Sequence, residues 1–290
     1  MTYCVAMSLD AGLIFLSDSR TNAGVDQVGT FRKMTVFENP GERMIVLMSA
    51  GNLAISQSIR QLIAEPNAAG KSIWNARSMH EAAHIVGEAV RSVYEHDAKA
   101  LRNFGVDFNV SMTLGGQIGA EACRLFQIYS AGNFIESQGE TPYFQIGEAK
   151  YGRPILDRVI TVATPLDEAA KCALISMDST LRSNISVGLP LDLLVYESGT
   201  LAVTRFVTID EDNQYFDMIR HTWALQLKRV FEGIADPVWD AAAHVTDNVL
   251  ARENNYSKPL RVPLPANHPR HELPSPPLQT LAQAPSGKQP

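Results

Sequence analysis

The sequence predicts an α+β fold, and three observations carry that prediction. Short apolar runs with strand character cluster at the start and middle of the chain. Stripes of helical period occupy separate blocks between them. No linker-like segment interrupts the first 235 or so residues of the 290. The order is strands, two helices, strands, two helices, strands, helix, which suits a sandwich with two sheets between helical layers.

The first strand is Tyr3-Cys4-Val5-Ala6-Met7-Ser8-Leu9, and Asp10-Ala11-Gly12 is a turn signal behind it. The run Leu13-Ile14-Phe15-Leu16 returns as a second strand and ends in Ser17-Asp18-Ser19-Arg20. Lys33 opens a third strand to Glu38, Asn39-Pro40-Gly41 turns the chain, and Arg43 to Met48 runs back into Ser49-Ala50-Gly51-Asn52. From there the period becomes helical. Leu53, Ile55, Ile59, Leu62 and Ile63 form a stripe that Pro66 ends. A longer helix follows from about Ser78 to Leu101, with Met79, Ala82, Ala83, Val86, Ala89, Val90 and Val93 on its apolar side. Strands are expected at Phe108 to Leu114, Arg124 to Tyr129 and Asn133 to Ser137. Phe144-Gln145-Ile146-Gly147 leads into a helix near Ala149 to Ile160, and Thr164-Pro165 starts the next, to about Leu181. Leu191 to Glu197 and Leu201 to Ile209 read as a hairpin around Ser198-Gly199-Thr200, and Asp210 starts an amphipathic helix to about Gly233.

This divides the chain into one domain over residues 1–240, a helical extension over 241–258 and a tail over 259–290. The tail is rich in Pro, Ser, Gln and Ala and is expected to stay disordered, because it cannot bury enough apolar surface to fold. A peptide that docks onto a neighbour is the functional alternative for it.

Composition excludes several classes. The net charge of −6 argues against general nucleic-acid binding. The three cysteines, Cys4, Cys123 and Cys172, are widely spaced and odd in number, so a disulfide set or zinc knuckle is not expected and a reducing cytoplasm fits. No charged-then-apolar leader opens the chain, and no apolar run approaches the ~18 residues of a membrane span. The expectation is a cytoplasmic protein that is neither secreted nor membrane-bound.

Thr2 directly follows Met1. A Met before a small residue is normally trimmed in the cytoplasm, which would leave a hydroxyl and a free α-amine on one residue. That amine titrates near ~8, so the nucleophile would carry its own general base. The bland alternative is a merely permissive second residue. Asp18 ends a strand paired with the one that starts at Thr2, so it can lie close to residue 2. Alone, Asp18 reads first as a turn-capping carboxylate and Lys33 as a solvated strand-end lysine.

Taken in order, Thr2, Asp18-Ser19-Arg20, Lys33-Met34 and Ala50-Gly51 resemble the pattern of proteasome-type β-subunits. Tyr3-Cys4 after the Thr, the absence of a propeptide, and Tyr151-Gly152-Arg153-Pro154-Ile155-Leu156-Asp157 resemble most the bacterial Anbu group of that family. The resemblance covers roughly residues 2 to 235. It implies a four-layer αββα sandwich of the N-terminal-nucleophile hydrolase type and hydrolysis of peptide bonds without metal or other cofactor. It implies Thr2 as nucleophile, Lys33 as the charge that activates it, Asp18 as the group that holds Lys33, and the Gly51 N–H as an oxyanion donor. Unfolded or short peptides are the implied substrates. The implied assembly is a homo-oligomer, ring-like or open and helical, with the Thr sites inside. A non-catalytic assembly subunit on the same fold is the main alternative.

The second half departs from the family pattern. The family has a Ser where this chain reads Ile146-Gly147-Glu148, so Glu148 is the candidate replacement near the Thr amine. A first-turn carboxylate favoured by the helix dipole is its plain alternative. The family's later Asp matches Asp178, but Leu181 stands where the Ser belongs, leaving Ser183 as the candidate.

His80-Glu81-Ala82-Ala83-His84 also matches His-Glu-x-x-His, which on a helix sets two zinc ligands on one face beside a Glu base. The third ligand of the extended pattern would fall at Val90, with Glu88, Glu95 and His96 as substitutes of unrecognised spacing. A zinc hydrolase is therefore the rival enzyme class. Cys4 as nucleophile would need cleavage after Tyr3, and a buried small apolar residue is its better reading.

Overall fold

Both faces of the first strands are buried, and that fixes how the elements surround them. In the computed structural model, which describes residues 2–23 and 27–237, β1 (Tyr3–Leu9) and β2 (Gly12–Asp18) are buried almost throughout. Strands covered on two sides read as continuous apolar runs rather than as polar–apolar alternation, which is the character of Cys4-Val5-Ala6-Met7 and Leu13-Ile14-Phe15-Leu16.

A short hairpin of β3 (Arg20–Ala23) and β4 (Gln27–Thr30) follows. Then come β5 (Met34–Asn39), β6 (Arg43–Gly51), α1 (Leu53–Ala64) and α2 (Met79–Asn103). The middle of the chain supplies β7 (Val110–Ile118), β8 (Arg124–Ile128), β9 (Phe134–Glu136) and β10 (Tyr143–Gly147). The last part holds α3 (Arg153–Val159), α4 (Leu166–Ser183), β11 (Leu191–Glu197), β12 (Arg205–Ile209) and α5 (Gln214–Glu232). The fold is thus mixed, with antiparallel sheets and five helices among the described residues.

One five-stranded sheet has the order β10-β1-β2-β11-β12, and the other the order β5-β6-β7-β8-β9. Every pairing is antiparallel. Successive side chains of a strand point to opposite faces, and the core divides accordingly. Tyr3, Val5, Met7, Ile14 and Leu16 pack with Leu156 of α3, Ala169, Ala173 and Met177 of α4, and Phe216 of α5. Their neighbours Cys4, Ala6, Leu13 and Phe15 pack with Met44, Val46, Met48 and Leu125 of the second sheet. The opposite face of that sheet, with Ile45, Leu47, Leu114 and Phe126, packs with Ile59 of α1 and with Met79, Val86 and Val90 of α2.

Several elements differ from the sequence reading. The β3–β4 hairpin was not anticipated, because Arg20-Thr21-Asn22-Ala23 has no apolar period. The helix expected from Ala149 starts at Arg153. The Glu148 carboxylate takes the Lys150 N–H into a local turn at 3.1 Å, and Pro154 pre-sets the first helical turn. The strand expected from Leu201 starts at Arg205, since Leu201 has φ +48 and its N–H donates to the Tyr196 hydroxyl, while Val203 donates to Glu38. The last helix starts after Asp210 because Asn213 caps it, accepting the Phe216 N–H at 2.9 Å.

The described residues through Ile234 belong to one compact unit, and Ala235 begins a second. Met1, the expected helical extension over 241–258 and the expected tail over 259–290 lie outside the described residues. Among the described residues, no helix is long and apolar enough to cross a membrane.

Candidate active site

Pairing on both edges of β1 places Thr2. Tyr3 lies opposite Gly147 of β10, and Cys4 opposite Ser17 of β2. The Thr2 carbonyl accepts the Glu148 N–H at 2.7 Å. Gly147 has φ +84, and a Cβ there would stand 2.0 Å from the Thr2 carbonyl oxygen and 3.2 Å from Thr2 Cβ. Only glycine allows this close wrap around residue 2.

Asp18 ends β2 beside this point and is 0 % exposed. Its Oδ1 accepts the Lys33 Nζ at 2.6 Å and the Tyr3 N–H at 2.9 Å, and its Oδ2 accepts the Gly188 N–H at 3.4 Å. Burial pushes the Asp18 carboxyl above the usual carboxylate range, while the Lys33 ammonium and the two N–H groups pull it back. Lys33 is itself buried, and its carbonyl accepts the Ser49 N–H at 3.1 Å, which fixes it against the end of β6. One carboxylate therefore holds both the candidate activating ammonium and the backbone of the residue after Thr2.

β6 ends at Gly51 with φ +108, where a Cβ would lie 2.3 Å from the Asn109 carbonyl oxygen. Asn52 then caps α1, accepting the N–H groups of Ala54 and Ile55. Thr2, Lys33, Ser49, Ala50, Gly51 and Gly147 line one cavity of about 420 Å³, together with Arg20, Arg32 and the first turn of α1. The structure brings Thr2, Asp18, Lys33 and Gly51 together. A hydroxyl, an ammonium held by a carboxylate, and a strand-to-helix turn are the groups that amide hydrolysis uses as nucleophile, activator and oxyanion donor.

Glu148 is also adjacent to Thr2 through its N–H. Its Oε2 accepts Asn184 Nδ2 at 3.1 Å, and both residues are buried. Asp178 and Ser183 line a different cavity, of about 550 Å³, with Trp223, Leu227 and Phe231. The Asp178 carboxylate accepts Arg182 Nε at 3.3 Å and Arg220 Nε at 3.1 Å, and so ties α4 to α5. Sequence reasoning missed Asn184, Gly188 and the Tyr3 side chain. The Tyr3 hydroxyl bonds Ser176 Oγ on α4 and accepts Gln145 Nε2 at 2.9 Å on β10. Cys4 is wholly buried, and burial pushes its thiol up, which suits the apolar reading.

The histidine motif has other occupations. Ser78 caps α2 by accepting the Glu81 N–H at 3.1 Å, and the Glu81 carboxylate accepts the Arg77 N–H at 2.8 Å and pairs with Lys71. This is close to a capping box. His80 and His84 meet the Phe134 ring edge to face, with centroids 5.4 and 5.0 Å away. Among the described residues, no three His, Cys, Asp or Glu gather where they could hold a metal ion.

The class that this geometry defines is proteasome-related and β-subunit-like. Solved structures agree. An Anbu (ancestral beta-subunit) structure from Yersinia bercovieri is 51% identical with a TM-score of 0.77, covering 82% of this chain and 100% of that one. The helical assembly of the Anbu complex from Pseudomonas aeruginosa is 46% identical over 82% of this chain and 99% of that one, with a TM-score of 0.78. Anbu from Hyphomicrobium sp. strain MC1 is 46% identical over 81% and 99%, with a TM-score of 0.75. No protein-family model and no curated protein matches the chain. The chain belongs to the Anbu family, a proteasome-related bacterial family.

Proposed function

We propose that the chain is a cytoplasmic N-terminal-threonine peptidase that needs no metal or other cofactor. The observation that carries this is the shared carboxylate, since Asp18 grips both Lys33 Nζ and the Tyr3 N–H directly behind Thr2. After Met1 removal, the Thr2 α-amine takes the hydroxyl proton as Oγ attacks the substrate carbonyl. Lys33 stabilises the forming alkoxide, and the Gly51 N–H donates to the oxyanion. The amine returns the proton to the leaving nitrogen, and water then hydrolyses the acyl ester. Glu148, whose N–H holds the Thr2 carbonyl and whose carboxylate accepts Asn184, is the candidate partner of the amine, and Asp178 and Ser183 support the α4–α5 packing. The four-layer αββα order of the N-terminal-nucleophile hydrolases is supported by the three core clusters, in which alternate residues of β1 and β2 pack against helices or against the second sheet.

We further propose a homo-oligomer, ring-like or open and helical, acting on unfolded or short peptides. The helical assembly of the Pseudomonas aeruginosa relative supports this. Light scattering at working concentration checks it, and a monomer with full activity would defeat it.

A non-catalytic assembly subunit is the second reading. The seating of Asp178 and Ser183 at a cavity other than that of Thr2 favours it. Intact mass decides between the two. The peptidase reading expects loss of Met1, one adduct with a Thr-directed electrophile, and none in Thr2→Ala. Retained Met1 with no adduct selects the assembly subunit.

A further inference from the structure

Arg20, Arg32 and Lys33 line the cavity in front of Thr2, and no carboxylate does among the described residues, although the chain as a whole carries a net charge of −6. Asp18 neutralises Lys33 at 2.6 Å, and Asp192 lies 3.4 Å from the largely exposed Arg32. Arg20 has no carboxylate partner among the described residues. Its Nη1 donates to the Ile185 carbonyl at 2.8 Å instead.

A narrow recess continues from the same cavity. It shares Lys33, Ser49, Leu53 and Ser56 with it and extends to Gln57 and Arg60. Leu53, Ser56, Gln57 and Arg60 fall on one side of α1 at helical spacing. Arg60 is half-buried and makes no hydrogen bond or ion pair among the described residues. It also borders the open groove between α1 and α2, where the carboxylate in the lining, Asp97, is held by His96. A guanidinium that is partly desolvated and has no anion beside it is matched by an incoming carboxylate, which its planar fork can bind with two donors. The recess has a volume of about 20 Å³, enough for one water-sized group. A carboxylate oxygen fits it with the stem left in the larger cavity, and an aromatic ring does not.

We infer that the Thr2 cavity selects peptides with an acidic side chain on the acyl side of the cleaved bond, with Arg60 as the residue that reads the carboxylate. The placement on the acyl side rests on the peptidase reading. The recess shares Lys33 and Ser49 with the Thr2 cavity, so we assign it to the side chain of the residue whose carbonyl Thr2 would attack. Arg20 and Arg32 add a positive field at the mouth.

The test separates ligand selection from turnover. Two fluorescent hexapeptides that differ only in Glu against Gln at one central position are titrated into Thr2→Ala by anisotropy. The Glu peptide is expected to bind roughly ten- to a hundredfold more tightly, the range for a hydrogen bond to a charged group. The preference should shrink with added salt, collapse in the Arg60→Gln background and survive in part in Arg60→Lys. Equal binding of the two peptides, or an undiminished preference in Arg60→Gln, overturns the inference. Glu preference without hydrolysis by the Met1-free protein sinks the peptidase reading and leaves acidic selection standing. Hydrolysis with no Glu preference does the reverse.

Discussion

Lys33→Met tests the physical basis of the site. Methionine keeps most of the length of the lysine stem but removes the ammonium 2.6 Å from Asp18 Oδ1. Asp18 is then left 0 % exposed with two backbone donors, Tyr3 N–H at 2.9 Å and Gly188 N–H at 3.4 Å. Removing one partner of a buried ion pair costs about 3–5 kcal/mol, and the two remaining donors favour the lower end of that range. The cost should depend on pH, with a definite sign. Burial already pushes the Asp18 carboxyl up, and Lys33 is the foremost group pulling it back, so the variant's carboxyl moves further up. A folded value above the unfolded value of about 3.9 means that the folded state holds the proton more tightly. That contribution to stability is fully present below the unfolded value and is lost as pH rises through the folded one. The deficit of Lys33→Met against wild type should therefore be largest at alkaline pH. It should shrink on acidification by up to about 1.4 kcal/mol per pH unit within the titration range. Urea unfolding at pH 5 and pH 8, at one protein concentration, measures it. Adding Asp18→Asn to Lys33→Met removes the stranded charge and should restore most of the loss at pH 8. A deficit that is the same at both pH values, or no restoration in the double variant, would refute the buried-anion argument.

Further outcomes follow from the same geometry. Gly147→Ala would force a Cβ to 2.0 Å from the Thr2 carbonyl at φ +84, so Thr2 should lose electrophile labelling in a protein whose circular dichroism is still folded, and an unchanged labelling rate would contradict the wrap. Cys4 and Cys172 are buried, and burial pushes the Cys172 thiol up to about 11, so in the folded protein the half-buried Cys123 should react first with a thiol reagent at pH 8, as peptide mapping would show. Because the Cys172 value is raised, the stability it contributes is present below the ordinary thiol range and lost as pH climbs towards about 11, and Cys172→Ala should flatten the alkaline fall in melting temperature. His80→Ala and His84→Ala each remove an edge-to-face contact with Phe134, and should cost about 0.5–1.5 kcal/mol in thermal unfolding while leaving Thr2 labelling untouched, whereas zinc bound stoichiometrically and lost together with activity would revive the metal reading.

The legible part of the site was the part that strand register alone determines. Thr2, Asp18, Lys33 and Gly51 each stand at the end of a run whose apolar character is plain, and the pairing of β1 with β2 is forced by a short turn. Asn184 and Gly188 carry no such signal. They lie past the end of α4 and reach the site only because that helix packs beneath the first sheet. Asp178 shows the limit from the other side. Ala169, Ala170, Cys172, Ala173, Leu174, Ser176, Met177, Asp178 and Thr180 are all buried, so burial spreads over much of α4. Spacing then does not say which face a carboxylate takes, and in the fold Asp178 meets Arg220 of α5. The β3–β4 hairpin was hidden for a different reason, since its first strand offers no apolar period.

Tyr3 explains how a residue at a chain end can be held for chemistry. Chain ends fray unless they are tied down, and removal of Met1 would make Thr2 such an end. Tyr3 is fastened on two sides at once. Its N–H is committed to Asp18, on the side of Lys33 and the cavity. Its wholly buried ring points to the face packed by α4, where the hydroxyl meets Ser176 and Gln145. Burial also raises the phenol's pKa, so it keeps its proton at neutral pH. Thr2 itself is caught from the other edge, through its carbonyl and the Glu148 N–H. Thr2 is therefore positioned from both sides, by the Asp18 carboxylate on the N–H of the next residue and by the Glu148 N–H on its own carbonyl. A reacting group fixed by its surroundings needs little reorganisation when it attacks. On the proposed peptidase reading, the buried polar atoms of Tyr3, Ser176 and Gln145 would act on reactivity through the backbone of the preceding residue, without touching substrate.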